Sequence, residues 1–407
     1  MRAVEGIVAF RRALLGAFVL GLGVSITLAQ GALTVLTLLW LGKLWRRETR
    51  ETVPWPLWGP VLTFGAVSVL SALLSAHPGD SLVASKKLLL IAALYVAADA
   101  LDSAERAERF LSALTLAVAL AALAGLLQVG LCPGQATDYG FPAWLYHRCA
   151  RARGFFSSYM TLAGVLSLTL LVGLPRLLLD TTSRPWLGLA WLASLGGLAA
   201  TYTRGAWLGF VSGILALWPL IQRRRWLLAA GLLLLGVAVL AGPHHLRERA
   251  LTMTDLDDVT FKERTYMWRS GIAMWREHPW LGVGPGGVKR EYRHYALPEA
   301  FRQRTGHVHN TPLQILVETG LVGLLAWLWL WAAFYTEAVR LVRRLPAAAT
   351  RERALVAGSL AAVSGFLVAG LSEHNFGDSE VVMLAWTIMA LPVAVQGARL
   401  SGASTAP

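Results

Sequence analysis

Apolar runs of about 17 to 25 residues recur along the whole chain, separated by short polar or basic turns, and each could carry a helix across roughly 30 Å of hydrocarbon. Twelve can be placed, at approximately 10–26, 28–45, 55–75, 81–101, 109–130, 155–175, 185–203, 205–221, 226–242, 311–335, 354–372 and 379–397. The turns near residues 27 and 204 are very short. Alternating strands of the barrel kind are absent. The pattern predicts an all-α polytopic membrane protein with about 12 transmembrane helices, and residues 1–407 read as a single integral membrane domain. Met1 to Arg12 followed by an apolar stretch has the outline of a signal peptide. No small-x-small site precedes a soluble region, so it is read as an uncleaved first span.

One long polar segment interrupts the pattern, residues 243–310, a loop between the ninth and tenth spans. Within it Phe261, Thr265, Trp268, Ile272 and Trp275 recur at helical spacing, while Lys262, Glu263, Arg269 and Arg276 take other faces. This predicts an amphipathic helix from Phe261 to Glu277 lying in the membrane interface and capping the bundle; the alternative is the core helix of a small outer domain. Gly282, Gly284 and Gly287 spell G-x-G-x-x-G, but no strand precedes them, so the dinucleotide reading fails. A glycine-rich turn contacting a phosphate through its backbone remains open.

Composition agrees with a membrane setting. Hydrophobic residues make up 56%, charged residues only 15%, and mean hydropathy is +0.54, far from a soluble domain. The formal charge of +13 invites a nucleic-acid partner, but the basic residues are spread between spans and topology accounts for most of them, so no nucleic acid is expected. With the N-terminus inside, Arg2, Arg11, Arg12, Lys43, Arg46, Arg47, Arg50, Arg223 to Arg225 and the Arg340 to Arg353 group fall on the cytoplasmic side. The turns His77 to Asp80 and Glu373 to Asn375 carry no Lys or Arg. Both termini are therefore expected in the cytoplasm and the long loop outside, its own Lys and Arg being exempt because of its length. All nine histidines, at 77, 147, 244, 245, 278, 294, 307, 309 and 374, then lie on the outer side, where near-neutral titration is available for chemistry. Cys132 and Cys149 share one outer loop; they form a disulfide if that space is oxidising and otherwise sit as reduced neighbours.

The stretch richest in chemistry is Gly306-His307-Val308-His309-Asn310-Thr311-Pro312-Leu313-Gln314, where the long loop meets the tenth span. Thr311 with Gln314 reads as a capping box and Pro312 as the first helical residue, which holds His309 just outside a helix N-terminus. The partial positive charge there disfavours a charged ring and suits a general base. His-x-His is also half of a metal site, but no spaced Cys, Asp or Glu set completes it, and simple interfacial polarity is the other plain reading.

His309-Asn310, nine residues, then Gly320-Leu321-Val322-Gly323 resembles the H-[NSQ]-x9-G-x-x-G signature of bacterial O-antigen ligases, within the O-antigen ligase and polymerase superfamily. Arg151 to Phe156, Thr203-Arg204-Gly205-Ala206, and His278 to Gly286 match further pieces in order. The resemblance implies an inner-membrane glycosyltransferase with a periplasmic active site. It would move a polysaccharide from undecaprenyl diphosphate to a sugar hydroxyl of the lipid A-core, with inversion, no nucleotide sugar, no cofactor and no required metal. It implies that His309 is the essential histidine and that Arg204 and Arg264 are the essential arginines.

Independent physics supports such roles, because guanidinium groups in a partly dry site stabilise the charge that grows on a leaving diphosphate. Arg204, Arg264 and Arg153 are candidates for that task, and Arg151, Lys86, Lys87, His307 and Asn310 are further candidates for diphosphate contact. The competing accounts are a snorkelling residue for Arg204, a solvated helix face for Arg264 and outward snorkelling for the lysines. Glu318 is expected to be a buried structural acid, and Gly320 and Gly323 to be packing contacts with a neighbouring span. A repeat-unit polymerase or protein O-oligosaccharyltransferase of the same superfamily is the nearest rival; the short tail after the last span is expected to favour a ligase. A lipid-linked sugar transporter would call for internal repeats, and none is visible.

Overall fold

A computed structural model describes residues 2–45, 55–132, 149–179, 185–221, 224–242, 244–252, 255 and 257–403. Arg46, Arg47, Arg50, His147 and Arg223, used above, lie outside the described residues. Among the described residues the chain is all helical, with no strand. The helices are α1 (Arg2–Val24), α2 (Ile26–Trp45), α3 (Trp58–Leu73), α4 (Pro78–Ala84), α5 (Ala92–Ala100), α6 (Ala104–Gly130), α7 (Tyr159–Leu179), α8 (Pro185–Ala200), α9 (Arg204–Ala216) and α10 (Arg225–Leu240). They continue with α11 (His244–Leu251), α12 (Val259–Glu277), α13 (Val288–Tyr295), α14 (Thr311–Arg344), α15 (Thr350–Ala369), α16 (Ser379–Met389) and α17 (Leu391–Ala403). Seven helical stretches among the described residues are long and apolar enough to cross a membrane, and α3, α8 and α10 are shorter apolar helices. The chain is a multi-pass membrane protein.

The centre of the bundle is α7, α9 and α15. Gly209 on α9 and Gly365 on α15 let two backbones meet, because a Cβ at either would press on the other's carbonyl oxygen. At one end of the bundle charges pair off: Asp99 takes Arg11 and Lys43, and Glu108 takes Arg176 and Arg351. The opposite end of α15, about 30 Å away by the rise of a 20-residue helix, carries the groups of interest.

The segment Pro78 to Ala100 is one span whose middle, Ser85–Ile91, winds as a 3₁₀ helix. This tighter winding sets where Lys86 and Lys87 stand; both are exposed, and Lys87 Nζ donates to the Gly377 carbonyl at 2.5 Å. Cys132 and Cys149 are joined in a disulfide.

The long segment folds as a small cap with its own hydrophobic cluster: Met267, Met274, Val283, Val288, Tyr292, Val308 and Val317. α12 is present as expected, but its buried face is Glu263, Met267, Ser270, Gly271 and Met274, with Trp268 and Trp275 at the cluster's margin. The opposite face, with Phe261, Thr265, Trp268, Ile272 and Trp275, stays partly exposed.

The cap is fastened to α14 through a helix break. Gly320 lies at φ 66°, ψ −170°, inside a helix that is otherwise continuous. The backbone of 279–284 hydrogen-bonds alongside: Val283 N to Val317 O and Gly284 N to Glu318 O at 2.9 Å, Leu321 N to Pro279 O at 2.9 Å, and Val322 N to Trp280 O at 3.3 Å. Ser71 of α3 donates to the carbonyls of both Leu281 and Glu318. Two expectations are corrected here. Gly320 admits a loop backbone rather than a neighbouring span, and Gly323 faces Thr319 of its own helix. The glycine-rich turn is no phosphate cradle either, since the N–H groups of Gly282, Gly284, Gly286 and Gly287 all have protein acceptors.

Candidate functional site

The start of α14 is capped one residue earlier than the capping-box reading placed it. Asn310 is the N-cap, its Oδ1 accepting from Leu313 N at 2.9 Å, which puts Thr311 first in the helix and frees its hydroxyl. That hydroxyl donates toward the Glu373 carbonyl (2.9 Å) and Asn375 Oδ1 (3.0 Å), while Thr311 N donates to Gly370 O at 2.7 Å. Asn310 Nδ2 donates to Leu371 O, so both its polar ends hold the turn after α15 against the start of α14. Gln314 reaches back to Val308 N at 2.9 Å. Between these anchors His309 sits at φ 49°, a left-handed conformation that a histidine tolerates better than a branched residue.

This staple fixes the site. His309 Nδ1 lies 3.2 Å from one oxygen of Glu373, whose other oxygen accepts from Arg264 Nη2 of α12 at 2.5 Å. One carboxylate thus orients both the ring and the guanidinium, and all three side chains are largely buried. Arg204, the first residue of α9, donates to Thr252 O (2.7 Å) and to Asp258 (2.9 Å), the N-cap of α12. It is therefore tied into the cap rather than snorkelling. Burial pushes the Asp258 carboxyl up, but the Arg204 hydrogen bond and charge outweigh it and hold the group below its ordinary range.

His309, Arg204 and Arg264 line one cavity of about 360 Å³, together with Arg151, Arg249, Arg302, Glu263 and Glu373. Five guanidinium groups face two carboxylates there. Glu263 is engaged by the N–H groups of Phe301 and Arg302, and Arg151 stacks over Tyr159 at 4.5 Å. Arg249 of α11 is the one left wanting: its Nε is buried without a hydrogen-bond partner. Burial, then the charges of Arg151 and Arg204, lower its pKa. A buried donor that its neighbours repel is satisfied by an incoming anion.

The other candidates fall elsewhere. Arg153 bonds the Ser157 carbonyl and lies off the cavity lining, although its guanidinium is 5.9 Å from the Tyr159 ring. Lys87 and His307 line a second cavity, and Lys86 lines neither. The His307 ring is 4.2 Å from that of His309 and 5.6 Å from that of His374. Sequence reasoning passed over Glu373, Arg249 and Arg302 as site residues. Glu373 had one usable signal, as the lone acid in a short turn without Lys or Arg.

Burial, then the His309 charge, lowers His307 to about 4; burial, then His307, lowers His374 to about 3. Both rings are neutral when folded, while the unfolded chain protonates near 6.5, so the unfolded state binds more protons at acid pH. Stability from these rings is full above about 6.5 and is lost as pH falls toward 4 and 3. Thermal unfolding is expected to move to lower temperature across that window, and substituting both histidines by phenylalanine should flatten the dependence.

Residues 188–328 match the O-antigen ligase family model. The matched stretch contains Arg204, Arg249, Arg264, Arg302 and His309 but neither Arg151 nor Glu373, and it bears out the resemblance drawn from the motifs. No curated protein matches the chain.

Proposed function

We propose that this chain, which over residues 188–328 is similar to O-antigen ligases, transfers a polysaccharide from undecaprenyl diphosphate to a sugar hydroxyl of the lipid A-core at the periplasmic face of the inner membrane. The observation that carries the reading is the meeting of His309, oriented by Glu373, with an arginine-lined cavity. The acceptor oxygen attacks the anomeric carbon while the bond from that carbon to the diphosphate oxygen breaks, its electron pair leaving with the diphosphate. His309 Nε2, the ring nitrogen turned away from Glu373, takes the hydroxyl proton, and the carboxylate stabilises the imidazolium so formed. Arg204, Arg249 and Arg264 meet the charge growing on the leaving group. A single displacement of this kind inverts the anomeric centre and requires no metal.

Two arginine variants separate binding from architecture. Arg249→Ala removes a guanidinium whose Nε has no protein partner, so donor KM is expected to rise about tenfold or more with no fall in thermal stability. Arg204→Ala breaks the tie to Asp258 and is expected to lose both transfer, by about 10²-fold or more, and stability. Arg204→Lys should rescue only part of this, a point charge replacing a fork. The decisive experiment is reconstitution of purified protein with an undecaprenyl diphosphate glycan and a lipid A-core acceptor. One chain transferred to the acceptor supports the ligase; elongated donor alone would make it a polymerase.

A further inference from the structure

The second cavity, about 420 Å³, lies beyond a pair of histidines packed edge to face: His309 lines the arginine cavity, His307 lines this one, and their rings are 4.2 Å apart. Its character differs from its neighbour's. Phe64, Ile91, Ile315 and Trp386, from four membrane-embedded segments, give it an apolar floor. Toward the cap it carries two cations, Lys87 and Lys289, with Glu318 and Asp378 beside them, and so draws a polyanion less than five arginines do. Two polar atoms at this wall remain uncommitted: Nδ1 of His307 and Nδ1 of His374 are buried without hydrogen-bond partners. A neutral ring nitrogen can give or take a hydrogen bond, and a hydroxyl answers either need. Apolar walls with a few convergent polar atoms are the common form of a small-ligand site, and they suit the apolar face and hydroxyl edge of a sugar ring.

We infer that this second cavity holds the acceptor, a lipid-anchored saccharide presenting a free hydroxyl, and delivers that hydroxyl past His307 to His309 from the side opposite the diphosphate. The assignment rests on the transferase reading above and deepens it. Inverting displacement needs the attacking oxygen in line with, and opposite to, the leaving oxygen, and one cavity lined by His307 with the other lined by His309 suits that approach. Lys87 and His307 then serve the acceptor, not the donor diphosphate.

Gly306 offers a clean probe, because it lines the second cavity and a Cβ there would meet nothing within 4 Å. Gly306→Leu adds a bulky side chain at the cavity wall from a Cβ position that meets no protein atom. In lipid nanodiscs carrying the full chain, two quantities are read: equilibrium binding of a lipid A-core glycolipid without donor, and KM for acceptor and for undecaprenyl diphosphate glycan. Gly306→Leu is expected to weaken glycolipid binding and raise acceptor KM about tenfold or more, about 1.4 kcal/mol, with donor KM within about twofold. Arg249→Ala should show the reverse pattern. Should Gly306→Leu fail to fold, Lys289→Trp, on the exposed rim, carries the same test. A rise confined to donor KM would assign the cavity to the donor, and unchanged binding and KM, or no glycolipid binding by wild type, would overturn the inference. Glycolipid binding that Gly306→Leu abolishes, in a protein that transfers nothing, would instead keep this cavity assignment and sink the transferase reading.

Discussion

Replacing His309 by asparagine is expected to lower glycan transfer by about 10² to 10⁴, while undecaprenyl-linked glycan accumulates and the protein stays folded. Asparagine is the informative substitution because residue 309 sits at φ 49°, a region that asparagine enters readily and alanine does not. The backbone staple of Asn310, Thr311 and Gln314 is then left in place, and what is lost is the ring nitrogen that takes the proton. Glu373→Gln makes the companion variant. It leaves the ring present but removes the charge shared between His309 and Arg264, so an intermediate loss is expected. Rates would be read from initial velocities at saturating donor and acceptor, with detergent-solubilised size and thermal unfolding as controls. A His309→Asn protein that transfers glycan at the wild-type rate would remove the assigned base.

What could be read from the sequence, and what could not, divides along a physical line. Membrane-spanning stretches announce themselves because burial in lipid demands long apolar runs, and His309 and Arg204 lie at the margins of such runs, whereas Arg264 lies within the polar loop and is picked out by the family resemblance alone. All three meet in one cavity. Glu373 is 64 residues from His309, and the link between them depends on Thr311 and Asn310 binding the turn after α15, a contact that no local spacing encodes. The face of α12 that packs on the cap was hidden for a related reason. Its tryptophans are the larger hydrophobes, but its two methionines fill the small cap core, and only the partners Val283, Tyr292 and Val308 determine that choice. Arg249 was hidden because Arg247-Glu248-Arg249 reads as an ordinary solvated helix turn; its burial comes from the cavity wall.

The same division separates the two glycines of the signature, and the alanine variant at Gly320 is expected to cost more than that at Gly323. A Cβ on Gly320 would fall on the Trp280 carbonyl and the Leu281 nitrogen, backbone atoms held by the hydrogen bonds that pair 279–284 with the break in α14. The residue is also at φ 66°, so alanine is strained before any contact is counted. Nothing there can rotate aside, and Gly320→Ala is expected to cost about 3 kcal/mol or more, seen as a large fall in unfolding temperature or failure to accumulate. At Gly323 the first atoms met are Oγ1 and Cβ of Thr319; the hydroxyl can rotate away from its bond to the Ile315 carbonyl but the Cβ cannot, so the turn after the break must shift as well, an overpacking cost of about 1 to 3 kcal/mol. Transfer should follow the same order, because Val283 and Val317 join the docked loop to the core that carries α12, and α12 carries Arg264 to Glu373. Equal losses at the two positions would mean that both glycines serve helix packing, and that the break at Gly320 does not hold the cap over the site.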